Sequence, residues 1–369
     1  MQIDAKTVAR YRKDAPELLD AVTGNLGTGS GDNCLMKRDA LTDYCVKFEG
    51  GLCSVHKKYG TDFLGDACHF YPRMTRGIGS TRVMTGALSC PEIVRLALGD
   101  DAAFTWQDAT SERLPYSLID YLPDGLTEAH TFAIHDAFLQ KALDKNYSAA
   151  RNLIHIFCAA ESLQNIPIGS WPDAVPFYLD HAENRLPTPT KADTDSFFLL
   201  QALCGIIAAA KKGQQERLMQ NVRMMESALH ITIQWDTLAI AHLPDSLHMA
   251  QKLEADWKDT WSVSYDAILK RYLASQIVLA LFPFSGLGDT LTNRAAIIAI
   301  RFATIRLALM SACRTSPALP SQDAITCIVQ PISRLLDHLA GADFSLAIYK
   351  ETGWLNGNRL RALVGDMPT

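Results

Sequence analysis

The sequence predicts a mainly α fold: a small, irregular, cysteine-rich N-terminal portion packed on a larger all-helical body. Three observations carry this. Beyond about residue 125, apolar residues recur at three- and four-residue spacing, the period of an amphipathic helix. No convincing apolar–polar alternation of the β kind is visible past residue 110. Five of the nine cysteines, Cys34, Cys45, Cys53, Cys68 and Cys90, fall within the first 90 residues, among short segments and glycines. At 369 residues the chain has room for about two domains. The change of texture places the division near residue 100: a cysteine-rich metal-binding region at 1–100 and a helical domain at 101–369.

In the first region, helices are expected near Ala5–Thr23, Ser54–Tyr59 and Pro91–Leu98. The last begins with Pro91 and Glu92, both favoured in a first helical turn, with Ser89 or Cys90 ahead as cap. The run GNLGTGSG at 24–31 superficially resembles a nucleotide loop. That fingerprint needs a strand before it and a helix after it. Here a helical pattern precedes and Asp32-Asn33 follows, so a turn or hairpin tip is expected. In the second region, helices are expected at 130–143, 148–164, 197–212, 215–231, 264–282, 291–313 and 324–340. Gly213, after a pair of lysines, is a helix-stop signal. The proline-rich segment 169–191 reads as a long surface loop.

Apolar residues make up 48% of the chain and charged residues 20%, so a sizeable core is expected and global disorder is not. The net charge of -5 argues against nucleic acid as the main partner, because phosphate binding needs a basic surface. The most apolar long stretch, 291–313, is interrupted by Arg294, Arg301 and Arg306. It reads as a buried amphipathic helix, with no membrane partner expected. The N-terminal MQIDAKTVARYRKDAPELL is polar and has no apolar export segment, so a cytoplasmic location is expected. In that reducing compartment the odd number of cysteines is not expected to pair as structural disulfides.

Thiolates bind zinc, or iron in iron–sulfur clusters. Seven residues separate Cys45 from Cys53, fourteen Cys53 from Cys68, and twenty-one Cys68 from Cys90. None of these is the tight Cys-x-x-Cys spacing of a zinc site. On the residues alone two readings stand. Any single cysteine is best read as a small buried hydrophobe. Five in ninety residues, in a segment with little apolar core, point instead to a metal that supplies folding energy. The surroundings single out positions. YCVKFEGGLCSVHKKYG sets Cys45 and Cys53 at the ends of a short turn through Gly50-Gly51. Cys68 lies just ahead of Tyr71-Pro72-Arg73. Cys90 sits at a helix N-terminus, where the macrodipole favours thiolate.

The order Cys45, then Gly51-Leu52-Cys53-x-x-His56-x-x-Tyr59-Gly60, then Cys68-x-x-Tyr71-Pro72-Arg73, then Leu88-Ser89-Cys90-Pro91-Glu92 resembles the flagellin lysine-N-methylases. These belong to a wider group of cysteine-rich proteins described as zinc- or iron-chelating. The resemblance covers roughly residues 1–100. It implies an enzyme that methylates lysine ε-amines of a protein substrate, flagellin, with S-adenosylmethionine as methyl donor. It also implies an iron–sulfur cluster, of the 4Fe–4S kind, with zinc as the alternative. Cys45, Cys53, Cys68 and Cys90 are the expected ligands. The family has a further cysteine-rich stretch ahead of a segment like Gln2-Ile3-Asp4…Tyr11, and this sequence begins at MQID. Cys34 has no assigned family counterpart.

Other residues carry paired readings. His56 is a metal ligand or base, or else a solvated histidine on a short helix. Arg73 holds a carboxylate or a cluster by charge, or is a surface arginine after a Pro-fixed turn. Arg301, with Arg294 and Arg306, lines a cleft for the donor's carboxylate, or is the wet edge of its helix. Glu92 steers a lysine ammonium, or simply complements the helix N-terminus. His130, His135 and His155 read as ordinary polar positions. Met219, Met224 and Met225 read as core packing. No general base is assigned. The competing functions are a non-catalytic iron–sulfur or zinc protein and a helical interaction module with structural thiols.

Overall fold

The computed structural model describes residues 2–24, 34–40, 44–108, 119–192, 194–210, 216–316, 320–338 and 342–367. The chain divides into two compact units. The first runs to Thr75; the second takes in Arg76–Asp108 and the chain from Asp120 onward. The division thus falls at Thr75 rather than near residue 100. The cause is packing: Leu88, Val94 and Leu98 belong to the main core of the second unit.

The first unit is built from very short elements. β1 (Gln2–Ile3) leads into α1 (Ala5–Asp14), followed by β2 (Val22–Thr23) and β3 (Cys34–Met36). β3 is the middle strand, antiparallel to both others, with Ile3 opposite Cys34 and Val22 opposite Met36. Asp4 caps α1 by accepting from the Thr7 amide at 2.8 Å. The expected helix over 5–23 stops early. Ala15 leaves helical geometry just before Pro16, as the residue ahead of a proline tends to, and Pro16–Ala21 is a 3₁₀ turn. β4 (Phe48–Glu49) and β5 (Leu52–Cys53) form a hairpin with Phe48 opposite Cys53. Then come α2 (Ser54–Tyr59), at the expected position, and α3 (Asp66–Phe70). The buried core is small; Ile3, Val8, Tyr11, Leu18, Cys34 and Leu64 are among its members.

Along β6 (Arg73–Ile78) the chain passes into the second unit, and β6 pairs with β7 (Thr81–Gly86). Helices follow: α4 (Pro91–Gly99), α5 (Glu128–Leu143), α6 (Ala149–Leu163), α7 (Trp171–Asp180), α8 (Asp195–Ala209) and α9 (Glu216–Leu229). A hairpin of β8 (Ile231–Gln234) and β9 (Ala239–His242) intervenes before α10 (Ser246–Asp256), α11 (Ser262–Ala280) and α12 (Leu291–Thr315). The chain closes with α13 (Gln322–His338), α14 (Ala342–Glu351) and α15 (Gly357–Leu363). Side chains cap several starts: Thr127 accepts from the His130 amide, Ser148 from Arg151 and Thr290 from Asn293. α12 is the axis of the core and contacts α6, α9, α11, α13 and α15. It is long and apolar enough to cross a membrane, yet 94% of its most apolar window is buried inside the protein.

Several expectations are corrected here. Strand structure does occur beyond residue 110: β8 and β9 pair antiparallel from Ile231↔His242 to Gln234↔Ala239. Ile231 and Ile233 point inward and Thr232 and Gln234 outward, but four residues are too few for that alternation to stand out after a helix. The segment 169–191 is not one long loop, because α7 occupies Trp171–Asp180 and buries Val175 and Leu179 at i, i+4 spacing. Its first proline sits in the opening turn, where a missing N–H costs nothing. His135 and His155 are not ordinary polar positions; both are buried. The glycine run beyond Gly24 and the stop signal at Gly213 lie outside the described residues. The three methionines do belong to the core or pack on it.

Candidate thiolate centre

Three of the expected ligands, Cys45, Cys53 and Cys68, lie in the first unit and pack on its one small core. Cys45 and Cys53 are set by the β4–β5 hairpin. Its two turn residues, Gly50 and Gly51, have φ of 58° and 83°, the left-handed pair that a two-residue hairpin turn demands. Below the turn, the Ser54 amide donates to the Lys47 carbonyl at 2.8 Å, and the Phe48 amide to the Cys45 carbonyl at 2.8 Å. The Lys47 amide points at Cys45 Sγ, 3.5 Å away. Cys53 occupies the cap position of α2.

Cys68 arrives from another direction, on α3. Its amide donates to the Gly65 carbonyl at 2.9 Å. Asp4, which caps α1, also accepts from the Asp66 amide at 3.0 Å and so ties α3 to the N-terminal strand. Burial pushes the Asp4 carboxyl up, but the amides of Asp66 and Thr7 outweigh it and hold it below its ordinary range. Cys45, Cys53 and Cys68 all pack, partly buried, on the core that contains Tyr11. Tyr11 is fixed by donating its hydroxyl to the Phe63 carbonyl at 2.7 Å.

Burial pushes the Cys68 thiol up to about 11, and the neighbouring Cys53 and Cys45 push it further in the same direction. The Tyr11 hydroxyl is likewise driven up, by burial first and then by Cys68 and Cys53. Burial and the neighbouring sulfurs thus disfavour a thiolate at Cys68. A cation among them would reverse that preference and release protons. The donor chemistry therefore suits a soft metal. Convergence is a separate matter: among the described residues no three His, Cys, Asp or Glu side chains meet closely enough to hold one ion.

The remaining candidates lie elsewhere. Cys90 belongs to the second unit, as the N-cap of α4, with Pro91 and Glu92 in the first turn as expected. Arg73 is exposed and donates to the His69 carbonyl at 2.9 Å. His56 is exposed on α2. Glu92 sits in the first turn of α4 and is paired with Arg95 at 2.6 Å on the helix surface. Cys34, set aside in the family comparison, is buried in the first unit's core. Its signal was position alone, the fifth thiol in the same short stretch.

Two arginines of α12, Arg301 and Arg306, are held in ion pairs inside the fold. Arg301 donates to Asp337 and Gln276, each at 3.1 Å, and to the Leu336 carbonyl. Its side chain is only 12% exposed, so its charge is answered inside the fold rather than offered to a donor carboxylate. Arg306 makes a two-pronged bond to Glu254 at 3.0 and 2.7 Å. Arg294 donates to the Pro283 carbonyl at 2.9 Å. A helix buried all round can keep arginines only where each finds such partners.

No protein-family model, no curated protein and no solved structure matches the chain.

Proposed function

We propose that this chain is a protein lysine N-methyltransferase with a thiolate-bound metal centre in its first unit, working in the cytoplasm on flagellin. S-adenosylmethionine is the proposed donor. An iron–sulfur cluster is the proposed metal group, with zinc as the alternative, and Cys45, Cys53 and Cys68 are its proposed ligands. The observation that supports this reading is that all three, drawn from residues 45–68, pack on the one small core that contains Tyr11. Such a group would supply the folding energy that a core of this size lacks. The methyl acceptor is a lysine amine, which must first lose a proton, since its ordinary pKa is about 10.4.

The test is purification of the full chain under anaerobic conditions with iron, sulfide and zinc quantitation, followed by assay of methyl transfer to flagellin lysines. Metal should be retained by the wild type and lost in Cys45→Ser, Cys53→Ser and Cys68→Ser. Cys90→Ser decides whether the fourth thiol of the family pattern belongs to the set. A second reading, a helical interaction module with structural thiols, is favoured by the lack of a converging donor set among the described residues. A chain that holds no metal and transfers no methyl group would leave that reading and end the first.

A further inference from the structure

The second unit holds a cleft where the start of α8, α10 and α15 meet, with about 350 Å³ of space, its open mouth included. Small apolar groups such as Ala250 and Leu363 line part of it. Asp195, Glu254 and Lys191 bring charge to the same wall, and Ser196 and Gln251 bring neutral polar groups.

Both carboxylates already hold an arginine. Glu254 accepts from Arg306 with each of its oxygens, at 3.0 and 2.7 Å. Arg306 is boxed in place: its guanidinium lies 5.6 Å from the centre of the Trp257 ring, and a Cβ at Gly365 would come within 2.7 Å of it. Asp195 accepts from Arg359 on Oδ1, at 3.3 and 3.0 Å, and from the Ala192 amide on Oδ2, at 3.2 Å. Lys191 is the third cation. Among the described residues its ammonium makes no hydrogen bond and no ion pair. Three cations against two carboxylates leave the cleft with one positive charge unanswered.

That balance calls for an anion, and the Lys191 ammonium, the Ser196 hydroxyl and the Gln251 amide are donors for its oxygens. Glu254 adds a second requirement. Burial pushes its carboxyl up, but Arg306 and then Lys191 outweigh burial and hold it ionised. Its side chain is 25% exposed, so an acceptor without a proton of its own looks into the cleft. An oxyanion that has lost every proton sets lone pairs against lone pairs there. Sulfate is such an ion at neutral pH, and a phosphate monoester, with a second pKa of about 6, largely is. Inorganic phosphate keeps a proton and can donate it. We propose that this cleft binds hydrogen phosphate, with its charged oxygens on Lys191, Ser196 and Gln251 and its P–OH donating to Glu254. The site is independent of the methyl-transfer reading above.

The test is calorimetry on the full chain at neutral pH, with inorganic phosphate, sulfate and methyl phosphate titrated in turn. Phosphate should bind, and sulfate and methyl phosphate should bind about tenfold more weakly or worse, each lacking the proton that Glu254 accepts. Lys191→Met should weaken phosphate binding by about tenfold or more, the loss of a charge-assisted contact, and Gln251→Ala by about threefold, the loss of a neutral one. Lys191 and Gln251 are both exposed, so neither variant should change the melting temperature of the phosphate-free chain. Phosphate should raise the melting temperature of the wild type and do so less in Lys191→Met. A wild type that binds no phosphate overturns the proposal. So does sulfate or methyl phosphate binding as tightly as phosphate, and so does unchanged phosphate affinity in Lys191→Met.

Discussion

The two units bury side chains in opposite ways. α12 of the second unit buries nineteen residues by itself, whereas the buried cluster of the first unit has eleven described members in all. Meanwhile Leu35, Tyr44, Phe48, Leu52 and Tyr71 of the first unit stand largely exposed. A long helix turns every side chain of one stripe toward a common core. Strands of two or three residues cannot, and an isolated hairpin is marginal in water. The first unit therefore leans on local polar bonds, such as those of Asp4 and the Lys47 carbonyl. The second leans on packing. The lesson is that cysteine density tracks the unit least able to hold itself by burial.

Truncation in the main core should sharpen this contrast most. Phe302→Ala is expected to cost ~3–5 kcal/mol and Leu18→Ala, in the small core, ~2–3 kcal/mol. Denaturant unfolding followed separately in each unit by hydrogen exchange checks the order; equal costs would erase the distinction. Next comes Glu254→Ala, which leaves the 7% exposed Arg306 side chain without its carboxylate. A loss of ~3 kcal/mol is expected, with little change in exchange of the first unit.

The pH responses should also separate. Burial holds His135 and His155 below their ordinary 6.5, so both stay neutral in the fold. The unfolded chain then binds more protons below that value, and stability falls as pH drops through it. Between neutral pH and about 5.5, exchange should quicken in α5 and α6, while Asp4 leaves the first unit untouched until pH falls below its ordinary 3.8. On the alkaline side the sign reverses. Cys68 holds its proton up to about 11 in the fold against 9.0 when unfolded, so the metal-free first unit should loosen as pH rises through that window. Cys68→Ser should flatten that response and spare the part due to Cys158 and Cys204, which are pushed up to about 12 in the second unit. The smallest effect belongs to Glu92→Ala on the exposed start of α4, where no measurable shift in Tm is expected.

Periodicity and end signals were enough to place the long helices. Ser148 caps α6 at the expected start and Leu163 ends it one residue early, and α12 runs to within two residues of the expected end. The Gly50-Gly51 turn between Cys45 and Cys53 was equally legible, because only glycine takes that pair of φ angles without strain. Tertiary structure alone decided the rest. Arg301 and Arg306 could not be read as internal ion pairs, since Asp337 and Glu254 lie 36 and 52 positions away in the chain. Nor could the buried, unpartnered atoms of Arg76 and His135 be foreseen, because a buried polar group reveals its missing partner only once the packing around it exists. Local chemistry writes helices, caps and turns into the sequence; which charges meet, and which are left waiting, is settled by long-range contacts that no short window contains.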